Sequence, residues 1–441
     1  MHKVLYIVYY YPPLGGSGVQ RGVKFSRYLP HYGWESVILT PHPALIKHPK
    51  DRSLLKDVLP TQKIYRSFSL DARWLFKILW GLGLPQVVNW LRYHLFIPDA
   101  EILWLPFAWL KIRKIIKQNQ IDLVFISGPP FSPMLLGRWI KRRYQLPFIV
   151  SFRDDWSFGQ SRLDNPPPRF FTRLERKLEH DVLAASDHVV VVNRAYQRDL
   201  LSLYPDLPPQ KFSVITNGYD ESDFPAAVVP RKKDRDKLQI VHAGVLFGRR
   251  RTNLIWQAAV ELAQEGLIDP KRIRIDIYGH NFASFVFKGF ENDPVIRQMV
   301  HLHPYLPHSQ SIDIMLQADA LWLYSGPGAK SDVELPGKLF EYLRAGKPIF
   351  AMIHPEGVCA EVLKPSGLGF IADNSDPEAI KSQFLRLYQL WEQGKLAPEP
   401  DWGLIRGFER QELTCRLAEV FDTTLAVFRS GSAEDRKGRG S

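Results

Sequence analysis

Only two cysteines, Cys359 and Cys415, occur in 441 residues. That excludes a disulfide framework and a cysteine-built metal cluster, and it fits a reducing cytoplasm. No uninterrupted run of about 18 apolar residues is present, so no segment is expected to span a bilayer. The nearest candidate, residues 74–112, is broken by Lys77, Pro85, Asn89, Arg92, Pro98 and Asp99. The apolar run VLYIVYYY at the N-terminus lacks a small-residue cleavage site and reads as a strand rather than a signal peptide. Short repeats and low-complexity tracts are absent. Acidic residues are in deficit, 46 against 58 Lys and Arg, for a formal charge of +12. Such a field favours nucleotides, nucleic acid or an acidic membrane face. Solvated faces and loops account for most of the basic runs, at 111–117, 138–143, 231–237 and 249–251.

What is present is 45% hydrophobic and 24% charged, the balance of a soluble globular protein too long for one core. Strand-like and helix-like segments alternate, which signals parallel α/β architecture. Strands are expected at 4–10, 35–40, 121–127, 147–153, 187–193 and 211–215, with a long irregular stretch after residue 40. A second series begins at 238–244 and continues through 273–279, 318–325, 347–353 and 369–372. The expected organisation is two doubly wound Rossmann-like domains facing a central cleft. They cover residues 1–220 and 238–400 and are joined by a polar, Pro-containing linker at 221–237. A helix at 401–429, expected to pack back on the N-terminal domain, and a disordered tail at 430–441 complete the chain.

The segment ADALWLYSGPGAKSDVELPGKLFEYLRAGKPIF, residues 318–350, carries the most chemical information. It reads as strand, Gly/Ser-rich loop, helix and strand. Pro336 suits the first helical position, Gly346 ends the helix and Pro348 blocks its continuation. Lys338 and Glu341 then share one face near the helix start. A lysine beside a helix N-terminus suits a phosphate, and the carboxylate one turn on can accept from paired sugar hydroxyls. The same pair also reads as an ordinary surface ion pair. After the first strand, Gly15, Gly16, Ser17 and Gly18 either bring backbone N–H groups to an anion or simply make a tight turn. The third glycine of the dinucleotide fingerprint is replaced by Arg21, and no acidic residue follows at the required distance, so an NAD site is not expected. Arg249, Arg250 and Arg251 precede a helix and could stabilise a departing diphosphate. Arg153, Asp154, Asp155 and Trp156 end a strand. Asp154 either positions or deprotonates a hydroxyl, or caps and pairs with Arg153. His301, His303 and His308 lack a companion carboxylate motif and read as surface histidines rather than metal ligands.

On these motifs, with TNGYD at 216–220 between them, the chain resembles retaining glycosyltransferases of family 4, of the bacterial polysaccharide type, over about residues 3–428. The resemblance implies the GT-B fold and hexosyl transfer from a nucleotide diphosphate sugar to an acceptor hydroxyl, without metal or other cofactor. It places Glu341 on the donor ribose, with Gly15, Gly16, Arg249 or Arg250, and Lys338 near the diphosphate. Asp154 becomes the catalytic candidate, and Arg21, Arg153 and Trp156 lie on the acceptor side. Implied partners are the nucleotide sugar, a glycan or lipid-linked acceptor, and an anionic membrane surface on the cytoplasmic side. Nucleic acid is not among them, for want of an aromatic–basic recognition module. The chain departs from the family's paired glutamates: Val333 stands eight positions before Glu341, and Glu334 is one step off. A nucleotide-sugar epimerase or hydrolase, or a non-catalytic nucleotide-sugar-binding protein, is the alternative.

Overall fold

The computed structural model describes residues 1–164, 166–225, 236–244, 246, 253–279, 286–326, 328 and 330–438. Strands β1 (His2–Val8), β2 (Trp34–Pro41), β3 (Lys63–Ser67), β4 (Leu123–Gly128), β5 (Phe148–Phe152), β6 (His188–Val191) and β7 (Phe212–Val214) form one sheet. Its order is β3-β2-β1-β4-β5-β6-β7. Six more strands, β8 (Leu238–Ala243), β9 (Ile273–Tyr278), β10 (Val300–His303), β11 (Ala320–Tyr324), β12 (Ile349–Ile353) and β13 (Gly369–Asp373), form a second sheet in the order β10-β9-β8-β11-β12-β13. All these pairings are parallel. Each sheet reverses direction beside its first strand, between β1 and β4 and between β8 and β11. Open parallel sheets bind ligands at such switch points.

The chain divides into two units, one of Met1–Thr216 with Arg410–Ser441 and one of Asn217–Glu409. Strand alternation in the first unit feeds two cores. Leu5 and Ile7 join Val124, Ile126 and Val150 on one face. Val4, Tyr6 and Val8 join Leu123, Phe125 and Ile149 on the other, where Leu413, Leu417, Phe421 and Leu425 of the helix Arg410–Gly438 complete the packing. The Phe421 ring lies 5.2 Å from both Trp34 and Phe125, and Trp34 Nε1 donates to Asp422 Oδ1 at 2.9 Å. Burying one such aromatic contributes about 1.5–3 kcal/mol. The second unit repeats the scheme, with Leu238 and Ile240 on one side of β8 and Val241 and Ala243 on the other.

Several elements differ from expectation. β3 and β10 are half-buried strands whose charged or histidine residues break the apolar run that marks a buried strand. The stretch read as irregular holds two helices, Ala72–Gly81 and Pro85–His94. Asp71 caps the first by accepting from Arg73 N, and Pro85 occupies the first turn of the second. The C-terminal helix runs to Gly438, past its expected end near residue 428, because only glycine, a weak breaker, interrupts the sequence there. Of the expected linker, residues 226–235 lie outside the described residues.

Two glutamates of the helix Arg169–Ala185 are buried in the first unit. Glu179 accepts from Ser157 Oγ at 2.5 Å and Tyr204 Oη at 2.8 Å, while Glu175 pairs with Arg162 at 2.5 Å. Burial is the main cause that pushes Glu179 to about 7 and Glu175 to about 8, from 4.5. An acid whose folded pKa is raised contributes stability that is fully present below its unfolded pKa and lost as pH rises through the folded one. The melting temperature should therefore fall as pH rises from about 5 to about 8. Glu179→Gln, which cannot ionise, should flatten much of that slope in a thermal melt series. Equal slopes in the two proteins would place the titration elsewhere.

Candidate functional site

At the switch point of the first unit, the loop after β1 is tied down by backbone. Gly15 N donates to Pro49 O at 2.8 Å, Asp51 N donates to Pro13 O at 2.9 Å, and His48 Nε2 lies 2.9 Å from Gly15 O. Gly16, at φ 102°, is the N-cap of the helix Ser17–Tyr28, a backbone conformation that favours glycine. A Cβ on Gly18 would overlap the Arg153 guanidinium. Arg153 reaches there from the end of β5, donating through Nε to Gly128 O at 3.1 Å and through its terminal nitrogen to Pro129 O at 2.8 Å. The structure thus brings Gly18 and Arg153 together and sets Gly16 beside His48. Asp154 follows, exposed to solvent. The protein around it raises its carboxyl pKa, and Arg153 lowers it.

Two expected acceptor-side residues are placed elsewhere. Trp156 is 1% exposed and stacks on Phe131 at 5.0 Å, so it is a core aromatic. Arg21, also 1% exposed, donates to the carbonyls of Ile215 and Thr216 and lies 4.7 Å from the Phe25 ring. Burial chiefly, then the Arg410 charge, lowers its pKa to about 9. It therefore pins the end of the first unit's chain rather than facing a ligand. Beside the loop is a cluster that the sequence does not announce. Tyr10 stacks on His48 at 4.4 Å and donates to Glu101 Oε1 at 3.2 Å. Burial and the neighbouring Asp99 push Glu101 to about 7. No motif marks these residues, because they meet across 38 and 91 positions.

At the switch point of the second unit, Gly244 N donates to Tyr278 O at 2.7 Å, and Ala243 N donates to Tyr342 Oη at 3.0 Å. A Cβ on Gly244 would overlap Lys338 Nζ, so the lysine ammonium rests against the end of β8. Its helix spans Lys338–Ala345, starting two residues after the expected Pro336 and ending at Gly346 with φ 65°. Glu341 lies in the first turn and accepts from His308 Nε2 at 2.8 Å, with Asp223 4.0 Å from His308 Nδ1. His308 is thus a hydrogen-bonded, largely buried residue rather than a surface one. His303 likewise bonds Asp276 at 2.6 Å and stacks on Tyr278 at 4.3 Å. Glu334 accepts from Ser325 Oγ just beyond β11. Arg249, Arg250 and Arg251 lie outside the described residues.

Residues 17–223 match the model of the family described as Glycosyltransferase Family 4. No curated protein matches the chain. Among solved structures, sucrose-phosphate synthase from Thermosynechococcus elongatus superposes with a TM-score of 0.62 at 12% identity, over 97% of this chain and 100% of that one. The architecture is the GT-B fold. WaaG, a glycosyltransferase involved in lipopolysaccharide biosynthesis, gives a TM-score of 0.56 at 12% identity, over 95% of this chain and 99% of its own. The UDP-GlcNAc 2-epimerase of Methanocaldococcus jannaschii gives 0.53 at 11%, over 96% and 99%. Likeness at such identities speaks to fold alone. The family match covers residues 17–223, just under half of the chain, and the superpositions establish the two-sheet GT-B fold.

Arg153 cannot retreat from a side chain at position 18 without breaking its bonds to Gly128 and Pro129. Gly18→Ala should therefore cost about 1.5–3 kcal/mol, the range for hydrogen bonds involving a charged group. Urea denaturation measures this, and a loss under about 0.5 kcal/mol would mean that the guanidinium is not held there.

Proposed function

We propose that the protein transfers a hexosyl unit from a nucleotide diphosphate sugar to an acceptor hydroxyl with retention of anomeric configuration. The observation that carries this reading is the placement of Lys338 against Gly244 at the end of β8, with Glu341 one turn further along the same helix. Lys338 and the helix start suit a diphosphate, and Glu341, oriented by His308, suits the paired hydroxyls of a ribose. Arg249 or Arg250 would add charge on the diphosphate, and Gly15 and Gly16 would line the approach in the first unit. No metal or other cofactor is required.

The chemistry asks little covalent work of the protein. The bond from the anomeric carbon to the diphosphate breaks with both electrons leaving on oxygen. Lys338 stabilises that growing charge better than it stabilises the ground state. An oxocarbenium-like centre forms, and the acceptor oxygen adds from the face the diphosphate leaves. A departing phosphate oxygen takes the acceptor proton, so no strong side-chain base is needed. Asp154 positions the acceptor hydroxyl. We further propose that the acceptor is a glycan or lipid-linked glycan presented at an anionic membrane surface on the cytoplasmic side, in polysaccharide or glycolipid synthesis. A nucleotide-sugar epimerase or hydrolase would differ by consuming donor with no acceptor present.

Glu341→Gln should weaken both donor and free nucleoside diphosphate by about 1.5–3 kcal/mol in calorimetry. Unchanged affinity in the folded variant would move the ribose elsewhere. Asp154→Asn should lower transfer while donor binding persists. If binding and melting temperature fall with it, Asp154 is a structural cap. Lys338→Ala should reduce turnover more than stability, and a chelator should leave activity intact. Loss of activity restored by a divalent ion would require a different mechanism.

A further inference from the structure

The helices Ala72–Gly81 and Pro85–His94 form a hairpin that is apolar on both sides. One side is accounted for: Ala72, Val88 and Phe96 are buried, and Phe76 meets Phe96 edge-on at 5.3 Å. The other side carries Trp74, Ile78, Trp80, Leu82, Trp90 and Leu95, and Trp80 and Leu82 are 63% and 67% exposed. Eleven of the 22 exposed large apolar residues among the described residues fall within positions 68–95. Scattered surface apolar residues need no explanation, but such a concentration on one short element does.

Charge selects the occupant. Residues 72–98 hold no Asp or Glu; Arg73 is paired with the N-cap Asp71 at 2.7 Å, which leaves Lys77 and Arg92 as the other cations of the hairpin. Lys77 and Arg92 are exposed, and Lys47 Nζ sits 5.7 Å from the Trp74 ring. A second protein of ordinary composition would be met by charges of both signs, whereas the exposed charges within residues 72–98, Lys77 and Arg92, are both cations. Tryptophans interleaved with lone cations suit the boundary between anionic headgroups and acyl chains. Length sets the depth. Each helix has ten residues, so each is about 15 Å long, half of a hydrocarbon core. The hairpin can lie in one leaflet's interface and cannot cross it.

We infer that this hairpin is a monotopic docking element that seats the first unit on an anionic bilayer, with Trp80, Leu82 and Trp90 inserted and Lys77 and Arg92 at the headgroups. The inference rests on the proposed membrane-presented acceptor, but its readout needs no turnover. The helix Leu105–Asn119, whose Trp104-side residues Leu105, Ala108, Ile112 and Ile115 are buried, belongs to the core and not to this face.

Flotation of the full chain with phosphatidylglycerol–phosphatidylcholine vesicles, against pure phosphatidylcholine and at low and high salt, tests it. Wild-type protein should float with anionic vesicles at low salt and be released by high salt. Lys77→Glu with Arg92→Glu should weaken anionic binding by about tenfold or more, since each surface cation adds about a factor of five. Trp80→Ser with Leu82→Ser should abolish flotation without lowering the melting temperature, because both side chains are exposed. Absence of wild-type flotation at low salt overturns the inference, as does equal flotation of the Trp80/Leu82 variant. A wild-type dimer in light scattering that this variant makes monomeric, with no vesicle binding, assigns the face to a second copy. Calorimetry with free nucleoside diphosphate on the same protein separates the two readings. Vesicle binding without nucleotide binding keeps the docking element and removes the transferase, and the converse does the reverse.

Discussion

In each unit a long cation occupies the space where a side chain would otherwise stand beside the first strand's outgoing loop. Arg153 lies over Gly18, and Lys338 lies over Gly244. A glycine is the only residue that leaves room for this, and the cation in turn fills a hollow that would otherwise hold loose backbone. The arrangement fixes where positive charge sits relative to the carboxyl ends of the strands. Arg153 is locked by two carbonyls, so its charge is a fixed part of the scaffold. Lys338 begins a helix, and its ammonium rests against Gly244 at the end of β8.

The remaining polar groups are held as well, each by a partner of its own. Glu341 cannot swing freely, because His308 engages it from the start of a neighbouring helix. Glu334 is held by Ser325 at the end of β11. On the first unit, Glu101 and Tyr10 hang beside a loop already anchored by Pro49 and His48. These are pre-set positions and not adaptable surface chains, the condition under which buried charge can act on a ligand without first reorganising.

The sheets and their order of appearance were legible because buried parallel strands write continuous apolar runs into the chain. β3 and β10 were not, since half-buried strands carry charges that dilute the run. The hairpin of residues 72–94 was hidden for a different reason: Gly81, Gly83 and Pro85 divide the segment into two ten-residue helices, each shorter than the window over which a helical period stands out. Lys338 and Glu341 could be paired from their spacing alone. The destinations of Arg21 and Trp156 could not, because burial of an arginine on the carbonyls of Ile215 and Thr216 is a contact across 194 and 195 positions. His308 was misread for the same reason, its carboxylate partner lying 33 residues away.

The second unit is one uninterrupted stretch, Asn217–Glu409, set into a first unit whose sheet is finished only by the helix that follows it. The two units therefore have unequal independence. Residues 217–409 contain all six strands of their own sheet and both of its cores. Residues 1–216 alone would leave Val4, Tyr6, Leu123 and Phe125 without the cover of Leu417 and Phe421. On a ribosome, the first unit cannot complete its core until the helix Arg410–Gly438 emerges, after the second has everything it needs. The part of the chain synthesised in the middle is thus the part able to fold first.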